Sequence, residues 1–217
     1  MNRTFVNAAI GLTAAATLLL TACSGEGGSD KKGKIEGAGS SADKSPAANA
    51  SEPTGKNAPR FDIPSDVEVN LEGFAGRNHT EKEALRDTTY AIKAVLEAQA
   101  KGYGGTSNYR RYWTGLQAAQ FVDTIDDFGK AGKTITGSFH YYRPNVKLTG
   151  KTTAGVTYCE DQRKGYAKNR KTGKAEKTTP SLDDFSKWSL GLAKGESGDW
   201  QVVRYGYTER AKACQIG

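Results

Sequence analysis

The chain begins with an uncharged and mostly apolar stretch. Arg3 is the only charged residue before it, and the stretch runs from about Val6 to Leu20. This is shorter than the roughly 20 apolar residues that a membrane-spanning helix needs. A basic start, a short apolar centre and small residues at the end are typical of a cleaved secretory signal. The pattern therefore predicts a signal peptide over residues 1–22.

The predicted signal ends in Leu20-Thr21-Ala22-Cys23, which looks like a lipobox. In such a motif the cysteine thiol receives a diacylglyceryl group and becomes the new N-terminus after cleavage. Each buried acyl methylene contributes about 0.8 kcal/mol, so two chains such as palmitate anchor a protein without a transmembrane helix. We expect the mature protein to be lipid-anchored through Cys23 on the extracellular face of the cell membrane. The alternative is an ordinary leader with an incidental cysteine.

Residues 23–60 separate the signal from the first recurring apolar positions. After Cys23 the segment is mostly Gly, Ser, Ala and Pro, and Ile35 is its only large aliphatic residue. Such a composition cannot bury enough apolar surface to offset the entropy lost on ordering. It predicts a disordered linker that holds one folded domain, residues 61–217, away from the lipid surface.

Two stretches of helical periodicity open the domain. Thr80 and Glu83 have the spacing of a capping box, which predicts a helix that begins at Thr80 and ends before Gly102. A second amphipathic helix is predicted after Gly115, because apolar residues again recur every three to four positions. Its apolar positions are Ala118, Phe121, Val122, Ile125 and Phe128.

The pattern changes to a period of two beyond residue 135. Apolar and polar residues alternate over 135–142, where Pro144 interrupts, and again over 153–161, 188–192 and 200–207. Lys171-Thr172-Gly173-Lys174 has the composition of a hairpin turn. Helices followed by antiparallel strands predict an α+β domain whose helices cover one face of a sheet.

Cys159 and Cys214 remain once Cys23 is lipidated. An even pair in an oxidising compartment favours a disulfide. It would close a loop of about 56 residues and stabilise the fold by roughly 4 kcal/mol in the chain-entropy model. The alternative is two buried free thiols. His79 and His140 are the only histidines and no Cys/His spacing suits zinc, so we expect neither a metal nor a cofactor.

The net charge of +7 is concentrated in one segment that contains a single acidic residue, Glu176. Its basic residues are Arg163, Lys164, Lys168, Arg170, Lys171, Lys174 and Lys177. Such a patch predicts contact with an anionic partner: lipid head groups, teichoic acid or another acidic wall polymer. The alternative is a solvated hairpin whose charges prevent edge-to-edge strand pairing. Nucleic acid is not expected as a partner, since the signal removes the protein from it.

Several short motifs recur in an order and spacing that suggest a family. They are Ile63-Pro64-Ser65-Asp66-Val67, Thr136-Gly137 followed by Tyr141-Tyr142-Arg143-Pro144, Val156-Thr157-Tyr158-Cys159-Glu160-Asp161, Arg170-Lys171-Thr172-Gly173-Lys174 and Ala213-Cys214. Over residues 61–215 the chain resembles actinobacterial secreted lipoproteins with an NTF2-like (cystatin-like) domain. The resemblance implies N-terminal helices packed on a curved antiparallel sheet, a cone, with a lipidated linker before it and one disulfide. It implies no activity, so no catalytic residue is carried over.

Three functional hypotheses follow. The favoured one is a membrane-anchored, extracytoplasmic, non-catalytic interaction module whose partner is a wall polymer or another envelope protein. The second is a small-ligand-binding or cone-type enzymatic domain, and the third is an accessory domain of a cell-wall synthesis system, by fold analogy alone. Residues considered for a cone site are His140, Tyr90, Tyr112, Asp126 and Asp161 as acid or base, and Tyr109, Tyr112 and Trp113 as pocket lining or as core. An enzyme is disfavoured because no G-x-S-x-G, Walker or H-E-x-x-H motif occurs.

Overall fold

The computed structural model describes residues 57–216. The predicted signal peptide, Cys23 and the linker up to residue 56 lie outside these residues. Within the described range, no helix combines the length and the apolar character needed to cross a membrane.

Along the chain, three helices follow the first strand and precede the other four. They are α1 (His79–Lys101), α2 (Ser107–Tyr112) and α3 (Gly115–Lys130). The prediction that α1 begins at a Thr80 cap is wrong. The cap is Asn78, whose side chain accepts the Glu81 N–H at 3.0 Å, and the Glu81 carboxylate accepts the Arg77 N–H at 3.0 Å. Asparagine is as good an N-cap as threonine or better, so a competing cap two residues earlier starts the helix there.

The sheet has five strands in the order β1-β2-β3-β4-β5. They are β1 (Val67–Leu71), β2 (Lys133–Leu148), β3 (Thr153–Asn169), β4 (Phe185–Lys194) and β5 (Trp200–Thr208). β1 pairs with β2 in parallel, and the other neighbours are antiparallel. A parallel pair needs a long crossover, and α1 to α3 supply it. The predicted fold class, helices packed on a curved and mainly antiparallel sheet, is confirmed.

β2 continues through the proline that was expected to interrupt it. The strand reaches Leu148, and its register with β3 shifts between Tyr142 and Asn145. Arg143 lies within this shift with φ 51, so the bulge absorbs the proline without ending the strand.

The two faces of the sheet are covered differently. The helices pack on the concave face and enclose the main hydrophobic core. On the opposite, convex face, residues 209–216 cover a smaller cluster that contains Tyr142, Phe185 and the two cysteines. Cys159 and Cys214 form a disulfide with a Cα–Cα distance of 5.4 Å, which confirms the predicted pairing.

The last residues before position 61 pack against the helices. The carbonyl oxygen of Asn57 accepts a hydrogen bond from Arg111 at 3.0 Å, and that of Arg60 accepts one from Asn108 at 2.7 Å. Pro59 is buried between them. Contacts with the domain therefore begin a few residues before the apolar pattern returns.

Candidate functional site

A carboxylate, Glu160, lies on the concave face of β3. The strand alternates, so that Val156, Tyr158 and Glu160 share the face that the helices cover. Its register partners are Tyr141 on β2 and Ser186 on β4. Only 4% of Glu160 is exposed, which places an acidic group among the side chains of the main core.

Neutral donors hold the Glu160 carboxylate. The Trp188 indole Nε1 donates to Oε2 at 2.7 Å, and the Gln162 amide Nε2 donates to Oε1 at 2.6 Å. The Tyr141 phenol also interacts with this carboxylate. Each carboxylate oxygen has two lone pairs, so these three donors leave room for one further hydrogen bond.

Trp188 and Tyr141, which donate to this carboxylate, belong to a connected group of aromatic rings. Tyr158 lies nearly parallel to Trp188 at 6.2 Å between ring centroids, and Tyr141 stands edge-on to Tyr158 at 6.0 Å. Phe74 lies 5.9 Å from Tyr158, and Tyr207 lies 5.1 Å from Trp188. We call Glu160 together with these five rings the concave carboxylate site. Phe74 and Tyr207 are only partly buried and therefore form its rim.

Glu160 has no cationic partner within residues 57–216, unlike most of the other buried carboxylates. Four of those carboxylates have ion pairs: Glu81 with Arg77 at 2.9 Å, Asp87 with Arg86 at 2.8 Å, Glu97 with Lys101 at 3.3 Å, and Asp161 with Arg163 at 2.9 Å. Glu160 has none within residues 57–216. Its charge is therefore balanced only by dipoles of neutral groups.

Two phenols of the concave carboxylate site, Tyr141 and Tyr158, remain protonated at neutral pH. Burial raises the pKa of Tyr141 well above its ordinary value, and the charge of Glu160 raises it further. The same two causes raise the pKa of Tyr158. Both phenols are hydrogen-bond donors in this environment, and neither is a nucleophile or a base.

The part of the concave face beneath α2 is filled by core side chains. Tyr109, Tyr112 and Trp113 are almost fully buried, and Phe121 from α3 packs between the rings of Trp113 and Tyr205. The Tyr112 hydroxyl has no hydrogen-bond partner within the described chain. Burial raises its pKa and that of Tyr109. These residues thus take the role of core and not of pocket lining.

The other acid or base candidates from the sequence lie apart from one another. His140 is on the convex face, where its Nε2 lies 2.9 Å from Glu72. Asp161, also convex, pairs with Arg163, and Asp126 at the end of α3 accepts the Gly104 N–H at 2.7 Å. No cluster of His, Cys, Asp or Glu within residues 57–216 has the arrangement of a metal site. These side chains do not form a common catalytic centre.

Three of the seven basic residues predicted to contact an anion are bonded within the domain. Arg163 pairs with Asp161, and Lys168 forms an ion pair with Asp66. Arg170 donates to two carbonyl oxygens, those of Lys133 at 2.8 Å and Ala100 at 2.7 Å. Burying part of these cations against acceptors stabilises the fold and leaves them poorly placed for an external anion.

The other four basic residues are exposed. They are Lys164, Lys171, Lys174 and Lys177. Within the described chain they have no ion pair. Lys171 and Lys174 lie in the predicted turn. The structure contains this turn, in which the Gly173 N–H donates to the Asn169 carbonyl oxygen at 2.9 Å. We call these four side chains the lysine row.

Sequence reasoning missed Glu160 as a site residue. The signal was present, because the alternation that placed Ala154, Val156 and Tyr158 on one face reaches Glu160 at the next step. A carboxylate at a position predicted to be apolar is the informative observation.

Comparisons with known proteins find matches among solved structures alone. No model of a protein family matches the sequence, and no curated protein matches it. Solved structures that do match include a ketosteroid isomerase-like protein from Erwinia carotovora atroseptica SCRI1043, at 19% identity and a TM-score of 0.39, covering 59% of this chain and 96% of that one. An NTF2-like superfamily protein from Salmonella enterica serovar Typhimurium LT2 matches at 14% identity and a TM-score of 0.39, covering 61% and 94%.

A third solved structure is the intermembrane space region of the chloroplast protein ARC6, at 10% identity and a TM-score of 0.37, covering 57% of this chain and 95% of that one. These identities and TM-scores give no ground for transferring an activity, a substrate or a partner to this chain.

Proposed function

We propose that this protein is a lipid-anchored envelope protein whose domain is a non-catalytic interaction module for an anionic wall polymer. The anchor in this proposal is diacylglyceryl-Cys23, and the polymer contacts are made by the lysine row. The observation that carries the proposal is that Lys164, Lys171, Lys174 and Lys177 are exposed and have no ion pair within residues 57–216.

The basic segment contains cations with a carboxylate partner and cations without one, and this division supports a polymer contact. Arg163 and Lys168 already lie against carboxylates, so an incoming anion gains little from them. Exposed lysines without a carboxylate partner keep their full charge for a partner, at about 1 kcal/mol for each residue close to an anionic surface. Four such residues supply roughly 4 kcal/mol before ordering costs, which suits a repetitive, multivalent polymer better than a single small anion.

The turn that carries two of these lysines is fixed on the domain. The Asn169 side chain accepts the N–H groups of Lys171 and Thr172, each at 3.0 Å, and Gly173 takes φ 69. Arg170 ties the turn to the carboxyl end of α1 through the Ala100 carbonyl oxygen. A turn held at these points presents its charges with less loss of entropy on binding than a free loop would.

A non-catalytic role is supported by the placement of reactive side chains. His140 and Asp161 lie on the convex face, whereas Glu160 lies on the concave one. Glu160 is therefore not beside either of the other two groups, as a shared acid–base or covalent mechanism would require. The phenols nearest to Glu160 are held in their protonated form.

The test is retention of the full chain on purified cell wall. Lys171→Gln, Lys174→Gln and Lys177→Gln combined should weaken retention by about 100-fold, since three contacts of about 1 kcal/mol are lost. A matched variant carries Lys82→Gln, Lys187→Gln and Lys212→Gln, which removes the same charge at exposed sites elsewhere. It should retain near wild-type binding.

Two outcomes would contradict the proposal. Equal retention of both triple variants would show that the lysine row is not the contact, and unchanged retention on wall stripped of its anionic polymer would exclude the polymer as partner. Binding to anionic vesicles without binding to wall would assign the row to lipid head groups instead. Mass spectrometry of the mature amino terminus from the native host tests the anchor, and an unacylated start beyond Cys23 would overturn it.

A further inference from the structure

The two outer strands of the sheet, β1 and β5, differ in how their outer edges are covered. On β5, the Val202 carbonyl oxygen accepts the Thr114 N–H at 2.9 Å, and the Tyr205 N–H donates to the Gln117 side chain at 2.8 Å. The register of β5 with β4 also shifts at a bulge in this part of the strand. Covering loops and bulges are the usual means by which edge strands avoid further pairing.

The outer edge of β1 has no such cover within residues 57–216. The Glu72 N–H donates to the Tyr141 carbonyl oxygen at 2.8 Å, and the register continues this parallel ladder at every second residue. The backbone groups of Val69 and Leu71 therefore point away from β2, as does the Val67 carbonyl oxygen. None of these outward groups has a hydrogen-bond partner within the described chain. They are available to a further strand.

The side chains of β1 alternate between an apolar row and an acidic row. Val67, Val69 and Leu71 pack against the main core on the concave side, and the last two remain partly exposed. Glu68 and Glu72 lie on the convex side and are exposed, and Glu68 has no ion pair within residues 57–216. A strand added at this edge would meet apolar side chains at every second position and carboxylates at two of the positions between them.

The acidic row decides which strand fits the edge. Antiparallel pairing with β1 of a second copy, centred on Asn70, would bring Glu68 and Glu72 of the two copies together, and like charges opposite one another are destabilising. A strand with basic side chains at alternate positions would place opposite charges across the pair instead. Because the whole chain has a net charge of +7, only a local acidic surface would attract such a segment.

We propose that β1 binds an extended segment of another protein as a sixth strand, and that basic side chains alternate with apolar ones in this segment. Backbone hydrogen bonds with Val69 and Leu71 supply the pairing. The basic side chains of the segment lie beside Glu68 and Glu72, and its apolar side chains extend the concave row. The lysine row takes anionic partners, whereas this edge takes a cationic one, so either proposal can fail without the other.

The probe is an acetylated and amidated hexapeptide of three Val-Lys repeats, compared with one of three Val-Glu repeats. The full chain labelled with ¹⁵N is titrated with each peptide, and amide hydrogen exchange is followed by residue. At about ten times its dissociation constant, the Val-Lys peptide should slow exchange at Val69 and Leu71 about 10-fold. Exchange at Asn70 should not change, since its N–H already faces β2. The Val-Glu peptide should bind more weakly by about 10-fold.

Two results with these peptides would overturn the proposal. One is the absence of binding by the Val-Lys peptide at about 1 mM, and the other is binding that leaves exchange at Val69 and Leu71 unchanged. The triple variant of the lysine row should bind the Val-Lys peptide as wild type does, so the test does not depend on the wall contact.

Charge reversal at the edge tests the acidic row. Glu68→Lys combined with Glu72→Lys should reverse the preference, so that the Val-Glu peptide binds more tightly than the Val-Lys peptide by about 10-fold. Glu196→Lys combined with Glu209→Lys makes the same change of charge at exposed positions on either side of β5 and should keep the wild-type preference. An unchanged preference in the β1 variant would overturn the proposal. If that variant does not fold, the exchange pattern of the wild-type chain decides.

Other occupants of the edge would give different exchange patterns without any peptide. Exchange at Val69 and Leu71 that slows as the protein concentration rises would assign the edge to a second copy. Slow exchange that does not depend on concentration would assign it to another part of the same chain. Either pattern would overturn the proposal.

Discussion

Removing the disulfide is expected to lower the free energy of unfolding by about 4 kcal/mol. The change is Cys159→Ala combined with Cys214→Ala, two positions 55 residues apart in the chain. For a loop of this size the chain-entropy model gives about 14 cal/mol/K, which is about 4 kcal/mol at 25 °C. This is between about a quarter and four fifths of the stability of a typical domain, which is about 5–15 kcal/mol.

Hydrogen bonds of the C-terminal segment, residues 209–216, indicate whether it stays packed on the sheet without the disulfide. The Ala211 N–H donates to the Phe185 carbonyl oxygen at 2.9 Å, and the Tyr142 hydroxyl donates to the Cys214 carbonyl oxygen. Neither contact involves a sulfur atom, so we expect the segment to stay on the convex face when the bridge is lost. The unfolded state, freed from its cross-link, should account for most of the loss in stability.

Guanidinium unfolding followed by tryptophan fluorescence measures this prediction. The midpoint should fall in the double variant, and wild type under reducing conditions should match the variant to within about 1 kcal/mol, an allowance for the small cavities that alanine leaves. A loss below about 1 kcal/mol in both would refute the view that loop closure sets the size of the effect. An m-value below that of wild type would mean that less surface becomes exposed on unfolding. It would refute the expectation that the segment remains docked.

Three further changes test local features of the fold by thermal or chemical unfolding. Asn78→Ala should cost about 1 kcal/mol by removing the α1 cap, whereas Thr80→Ala should cost less than half of that; the reverse order would contradict the helix start described above. Gly137→Ala should cost about 3 kcal/mol or more, because Gly137 has φ 92 and a Cβ there would lie 2.1 Å from a carbonyl oxygen of β3. Gly155→Ala, whose Cβ would meet nothing within 4 Å, is the control and should change stability by less than about 0.5 kcal/mol. The Arg111 guanidinium lowers the pKa of Asp199 in the folded state. The ionised carboxylate therefore stabilises the fold fully above its unfolded pKa of about 4. This stabilisation is lost as the pH falls through the lower folded pKa. Asp199→Asn should therefore destabilise at pH 7 and hardly at all at pH 2, and a difference that does not depend on pH would contradict this.

Features that depend on neighbours in sequence could be predicted from the sequence alone. Helical spacing predicted α1 and α3, and alternation predicted the strands from β2 to β5, because burial of one face imposes those periods. The cysteine pair was predicted from parity and compartment. The predicted start of α1 was wrong because Asn78 and Thr80 are both good N-cap residues. The local sequence alone does not show which of the two caps the helix. The signal peptide and the lipidation of Cys23 stay predictions of the sequence.

Tertiary structure alone decided which charged groups are available. Seven basic residues look equivalent in sequence, but Asp66 lies far from Lys168 along the chain and becomes its partner only when β1 lies beside β2. In the same way Glu160 is one more acidic residue until Trp188 on the neighbouring strand donates to it and the helices cover it. Ion pairing and burial join residues that are distant in sequence, whereas periodicity records only local geometry. The sequence therefore determined the elements of this domain, and their packing decided where its unpaired charges lie.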